Sequence, residues 1–207
     1  MAARRIFLIR HGETVGNAAR IVQRPDSALS PRGAVQAEHL ACRLATEGIA
    51  RIVSSDLARA VATAEPLQRA TGAPLSFEPL LQERSFGDLR GTPYADIPFD
   101  FFAPDYAPPG GESWPVFHDR VDRAWARVQA LAATAPGDLA VVTHGLVCGS
   151  LAARHLVLAG GQVVPARWEN TSLTIVDCPA PWHVRLLNCA AHLDGNAGAP
   201  PGDPGAV

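Results

Sequence analysis

The chain is predicted to be an α/β protein, a three-layer α/β/α sandwich around a mostly parallel central sheet, formed as a single domain over residues 1-192. Three observations carry this expectation. Short apolar runs, Ile6-Phe7-Leu8-Ile9 and Leu139-Ala140-Val141-Val142-Thr143, have the length and character of strands buried on both faces. Stretches with apolar residues at spacings of three and four stand between the strand-like runs. With 207 residues, 47% hydrophobic and 18% charged, the chain can close one soluble core without a metal or a disulfide framework.

Taken in order, the run at Ile6–Ile9 is the first strand, and a loop of turn residues spans 23–33. Ala34, Ala37, Leu40, Ala41, Leu44 and Ala45 then mark an amphipathic helix that Gly48 is expected to cap. Arg51-Ile52-Val53 reads as a second strand. Ser54-Ser55-Asp56 reads as a helix-start signal for a helix from Leu57 to Ala70. A third strand near Pro74–Phe77 leads into residues 81-114, where Pro93, Pro98, Pro104, Pro108 and Pro109 and four glycines forbid a regular element. That stretch is expected to form an active-site loop or lid. Val116–Ala133 reads as a helix with Val121, Trp125, Val128 and Leu131 on one face, and Leu146–Leu158 as another. Ser172–Val176 and Val184–Leu187 close the strand set. Residues 193-207, mostly Gly, Pro, Ala and Asp, are expected to form a flexible tail.

Charge and composition exclude several function classes. The net charge of -2 and the scattered arginines argue against a nucleic-acid face or a membrane surface as partner. Cys42, Cys148, Cys178 and Cys189 form no C-x-x-C pair and read as buried thiols of a reducing compartment. Four apolar residues behind Arg4 and Arg5 are too few for a signal peptide or a membrane span, so a cytoplasmic location is expected. No pair of histidines shows the H-x-x-x-H spacing of a zinc site, and no metal or cofactor is expected.

His11 and His144 each follow a predicted strand, where ligands of doubly wound sheets bind, so distant residues can meet in one crevice. Phosphate chemistry needs a nucleophile, fixed cationic donors and an acid for the leaving oxygen. His11 offers an imidazole that is neutral near physiological pH, and Arg10 beside it offers a planar fork matched to phosphate oxygens. Any one of these residues alone would be an ordinary core or surface group. His39, His118, His155, His183 and His192 match nothing of the kind.

Arg10-His11-Gly12-Glu13-Thr14 with Asn17 resembles the signature of the histidine phosphatase superfamily, also called the phosphoglycerate mutase-like family. Further blocks follow in that family's order: Ser54-Ser55-Asp56-Leu57-Ala58-Arg59-Ala60, Leu81-Gln82-Glu83-Arg84-Ser85-Phe86-Gly87, Gly111-Glu112-Ser113 and Val142-Thr143-His144-Gly145. The resemblance implies that His11 takes up the phosphoryl group, that Arg10, Asn17, Arg59 and His144 hold its oxygens, and that Glu83 serves as acid and then base. It also implies substrate contacts at Gln23 and Gly145, with Glu13 and Thr14 bracing the loop. Arg24 departs from the pattern, which often has glycine there.

Within that family a mutase must keep the phosphohistidine dry, whereas a phosphatase admits water. The interval Arg84–Thr143 is 60 residues and has no lysine, and Thr92–Glu112 has no arginine, whereas mutases carry a longer basic insertion there. A phosphatase of a small phosphomonoester is therefore expected, with a cofactor-dependent phosphoglycerate mutase as the alternative. A non-catalytic phosphate sensor on the same fold would have lost His11, Glu83 or an arginine, and none is missing. The lid's aromatic residues suit a leaving group with an apolar or ring face, or simply pack the lid down. Oligomeric state is left open, a homodimer included.

Overall fold

A computed structural model describes residues 4–194 of the chain. Six strands form one sheet in the order β3-β2-β4-β1-β5-β6: β1 Arg5–Arg10, β2 Ile49–Ser54, β3 Leu75–Phe77, β4 Asp138–Thr143, β5 Leu173–Asp177 and β6 Val184–Cys189. β3, β2, β4 and β1 run parallel, and β5 turns antiparallel against β1 and β6. The mostly parallel sheet expected from the sequence is thus present. The helices are α1 Val15–Ala18, α2 Pro31–Leu44, α3 Ala58–Thr71, α4 Trp114–Thr134 and α5 Gly145–Arg154.

The two-residue period of the strands creates the three layers. On β1, Ile6 and Leu8 enter the core under α4 and α5, while Phe7 and Ile9 enter the core under α2 and α3. On β4, Leu139 and Val141 face one way and Ala140 and Val142 the other. Both strands are covered on both sides, which is why they are apolar throughout and sit in the middle of the sheet.

Several element ends differ from expectation, each for a local reason. α2 begins at Pro31, because the Ser30 hydroxyl accepts the Gly33 N–H and proline suits the first helical turn. Gly48 lies beyond the end of α2 at Leu44 and is not its cap. Ser54-Ser55-Asp56 does not cap α3: the N-cap is Leu57, with no side-chain bond, and Gly72 at φ +68° ends the helix. α5 stops at Arg154 instead of Leu158. His155 Nε2 bonds Asp122 Oδ1 at 2.7 Å, and Val157 forms a bridge with His183. Thr14 caps α1, a helix the sequence pattern did not suggest. Among the four free thiols only Cys148 is buried, and Cys42 is exposed, contrary to the expectation for all four.

Residues 81-113 hold short 3-10 turns and no strand or α-helix, and Trp114, the last residue of the expected loop, already opens α4. They are not without a core: Phe86 and Phe101 are buried with Val22, and Tyr94, Phe102 and Tyr106 pack against them. Of the expected tail 193-207, Leu193 ends a 3-10 turn, and residues from 195 on lie outside the described ones. Among the described residues no helix is long and apolar enough to cross a membrane.

Candidate active site

Arg10 of β1 is in register with Thr143 of β4, so the residues that follow them leave the sheet side by side. The His11 N–H donates to the Thr143 carbonyl at 2.9 Å, and the His11 and His144 rings stand 5.1 Å apart. The loop after His11 is pressed against the start of α2. A Cβ on Gly12 would lie 2.7 Å from the Gly33 carbonyl oxygen, and one on Gly33 would collide with the Glu13 backbone. Glu13 fastens the contact by accepting from the Ser30 hydroxyl at 2.8 Å, and Thr14 caps α1 with Asn17 in a reciprocal pair of bonds. Both residues therefore brace the loop.

The hydrogen bonds of His11 fix its tautomer. Nδ1 is 2.7 Å from the Gly12 carbonyl, an acceptor, so Nδ1 carries the proton and Nε2 keeps a lone pair. Arg59 Nε donates toward that lone pair at 3.3 Å. Burial, with Arg59 and Arg10 beside it, holds the His11 pKa well below the ordinary 6.5, so the ring is neutral at physiological pH. Arg59 also donates to the Arg24 carbonyl at 3.1 Å. Burial brings its pKa down to about 10, against the opposing pull of Glu83, and it remains cationic. Arg10 is buried, donates to the Trp168 carbonyl, and leaves Nε without a partner.

Glu83 comes from the lid side. Its two oxygens accept the Arg84 N–H at 3.0 Å and the Leu146 N–H at 3.2 Å. These bonds and the two arginines favour the carboxylate, but desolvation outweighs them and raises the pKa above the ordinary 4.5. A carboxyl that holds its proton longer than usual and an imidazole that stays neutral, lining one cleft, have the properties that a general acid and a nucleophile require.

Arg10, His11, Gln23, Arg59 and Glu83 line one cleft. His144 is fully buried behind it, with Nε2 at 2.8 Å from the Ser55 hydroxyl and Nδ1 unpartnered. Asn17 Nδ2 is likewise buried and unpartnered on α1. Buried donors without acceptors are rare, and a phosphate oxygen would satisfy them. Gly145 lines the adjoining pocket instead, and a Cβ there would make only ordinary contact with Arg10 at 3.5 Å. Among the described residues no group of three or more His, Cys, Asp or Glu is placed to hold a metal ion.

Sequence reasoning missed how Ser55 and Arg120 contribute. Ser55 accepts the Leu57 N–H and holds His144, 89 positions away. Arg120 on α4 grips Glu112 through two bonds of 2.7 Å and donates to the carbonyls of Leu80, Gln82 and Glu83. Glu112 in turn accepts the Ser85 N–H at 2.8 Å. This clamp fixes the backbone on both sides of Glu83, and nothing in the local sequence around Arg120 announces it. The aromatic residues divide between two roles: Phe101 is buried in the lid core, while Phe86, Tyr94 and Phe102 also face the cleft.

Fold and site together define an α/β protein whose cleft, lined by arginines, is built around a buried histidine. The chain belongs to the histidine phosphatase superfamily (branch 1), whose family model matches residues 6–189. It is 31% identical to a Salmonella paratyphi B protein named probable phosphoglycerate mutase GpmB, covering 93% of this chain and 96% of that one. A mycobacterial glucosyl-3-phosphoglycerate phosphatase superposes with a TM-score of 0.75 at 29% identity, over 90% of this chain and 100% of that one. Bacillus stearothermophilus YhfR superposes with a TM-score of 0.79 at 28% identity, over 92% and 100%. The alpha-ribazole phosphatase of Shigella flexneri gives 0.77 at 26% identity, over 90% and 96%.

Proposed function

We propose that the protein is a phosphomonoesterase that passes the phosphoryl group of a small metabolite to His11 and then to water. One observation carries the reading: the Nε2 lone pair of His11 and the proton-retaining carboxyl of Glu83 share one cleft with Arg10 and Arg59. In the first step Nε2 attacks phosphorus, the bond to the leaving oxygen breaks, and Glu83 gives that oxygen its proton. In the second, Glu83 as carboxylate takes a proton from water while that water attacks phosphorus and the P–Nε2 bond breaks. Arg10 and Arg59 neutralise the transferring group, with Asn17 Nδ2 and His144 Nδ1 as further donors, and Gln23 stands at the cleft wall.

The phosphatase names among the structural neighbours support hydrolysis, while the name of the Salmonella relative favours a mutase. The missing lysines of the lid no longer count toward either, because the whole chain has none; all 18 of its cationic residues are arginine. A p-nitrophenyl phosphate assay over about pH 5 to 8 with wild type and His11→Ala tests the reading. Turnover by wild type, lost in the variant, is expected; no turnover by wild type anywhere in that range sinks it. Rapid conversion of 3-phosphoglycerate to 2-phosphoglycerate with catalytic bisphosphoglycerate, and little free phosphate, would put the mutase first.

A further inference from the structure

The cleft holds five arginines against a single carboxylate, in a chain whose acidic residues outnumber its basic ones. Arg10 and Arg59 stand at the reacting atoms. Arg84 is engaged mainly with the lid: it donates to the Glu112 and Tyr106 carbonyls and its guanidinium lies 4.1 Å over the Trp114 ring, with only its buried Nη1 unpartnered. Arg24 and Arg90 remain. Both are exposed at the cleft rim, and neither has a carboxylate within salt-bridge distance among the described residues. Two guanidinium groups near one mouth repel unless an anion joins them.

The Arg24 side chain packs against a glycine while its backbone is hydrogen-bonded, and the Arg90 side chain is hydrogen-bonded directly. The guanidinium of Arg24 lies against Gly91, whose φ is +90°; a Cβ there would sit 2.7 Å from Arg24 Nε and 2.8 Å from Nη2. The Arg24 N–H donates to the Ser27 hydroxyl at 3.0 Å, and its carbonyl accepts from Arg59. Arg90 donates to the Ser85 hydroxyl at 3.1 Å, and it is near enough to Arg59 to help lower its pKa. Arg59 therefore links the phosphate centre to this rim, since it donates to the Arg24 carbonyl and feels the charge of Arg90.

We propose that Arg24 and Arg90 form a second anion subsite, so that the preferred substrates are phosphomonoesters whose leaving group carries its own carboxylate or phosphate. The proposal rests on the phosphomonoesterase reading. It is tested with 3-phosphoglycerate, propanediol bisphosphate and glycerol 3-phosphate, the last having a neutral leaving group. Wild type should favour one or both doubly anionic esters by about tenfold or more in kcat/KM, as a charge-assisted bond at a partly exposed site would give. Arg24→Gln/Arg90→Gln should erase the preference while still hydrolysing glycerol 3-phosphate, which separates loss of the subsite from loss of the fold. Which ester responds tells carboxylate from phosphate. Equal rates on all three esters in wild type, or a preference that survives in the double variant, would overturn the subsite. If no ester is hydrolysed the phosphatase reading fails, and titration calorimetry of the same esters on Glu83→Gln protein reads the subsite without turnover. Equal affinities there would overturn it as well, and tighter binding of an anionic ester that the two glutamines abolish would sustain it.

Discussion

The floor of the cleft and its wall are positioned in different ways. His11 and His144 stand on the ends of two central strands that are buried on both faces, and the backbone bond from His11 to Thr143 joins them. Glu83, Arg24 and Arg90 stand on irregular segments, held by side-chain bonds such as the Arg120–Glu112 clamp and by the packing of Phe86 and Phe101 at 5.8 Å. The floor inherits the stability of the sheet. The wall depends on a few polar contacts and a small aromatic core, the kind of region that opens locally and in which specificity varies.

The contrast can be broken at its strongest point by Glu83→Gln. Loss of the acid should lower kcat/KM for alkyl phosphates by about 100- to 10,000-fold and for p-nitrophenyl phosphate far less, since a good leaving group needs no proton. Equal losses would remove Glu83 from the acid role. Arg120→Met comes next: releasing the clamp should cost up to about 100-fold with the same dependence on the leaving group, because it misplaces Glu83 and leaves the floor intact. A loss independent of the leaving group would make the clamp merely structural.

The pH profile sharpens the same division. His11 must be neutral, and its pKa is pushed down, so activity should fall on the acid side only below the ordinary histidine value of 6.5. Glu83 must be protonated, and its pKa is pushed up from 4.5, so the alkaline fall follows its ionisation. Glu83→Gln should remove the alkaline limb and keep the acid one. Smallest in its effect on catalysis is the packing comparison. Phe7→Ala in the floor's core should cost about 3–5 kcal/mol of global stability. Phe101→Ala should instead speed amide exchange in the lid while the global melting temperature changes less.

The floor was legible because buried central strands must be apolar along their whole length and because motif residues follow them directly in the chain. Arg10, His11, Arg59, Glu83 and His144 all follow from the motifs that resemble the histidine phosphatase family, and the structure brings them to one cleft and the wall behind it. Boundaries and supports were harder to read. Ser55 resembled a helix cap, but its hydroxyl is drawn to His144, a partner 89 positions away. The sequence pattern overextends α5 because Leu156, Val157 and Leu158 continue its apolar run, whereas in the structure His155 is pulled toward Asp122. Arg120 looked like any helix arginine. Each of these misses is a tertiary contact of long sequence separation, which local periodicity does not encode.

The central claim is that phosphate visits His11 before it meets water. Hydrolysis of an isotopically chiral phosphorothioate monoester in labelled water, which yields a chiral inorganic thiophosphate, reads this directly. Two successive in-line displacements, first by Nε2 and then by water, predict retention of configuration at phosphorus. Inversion would mean that water attacks the ester in one step, and His11 would then be no nucleophile.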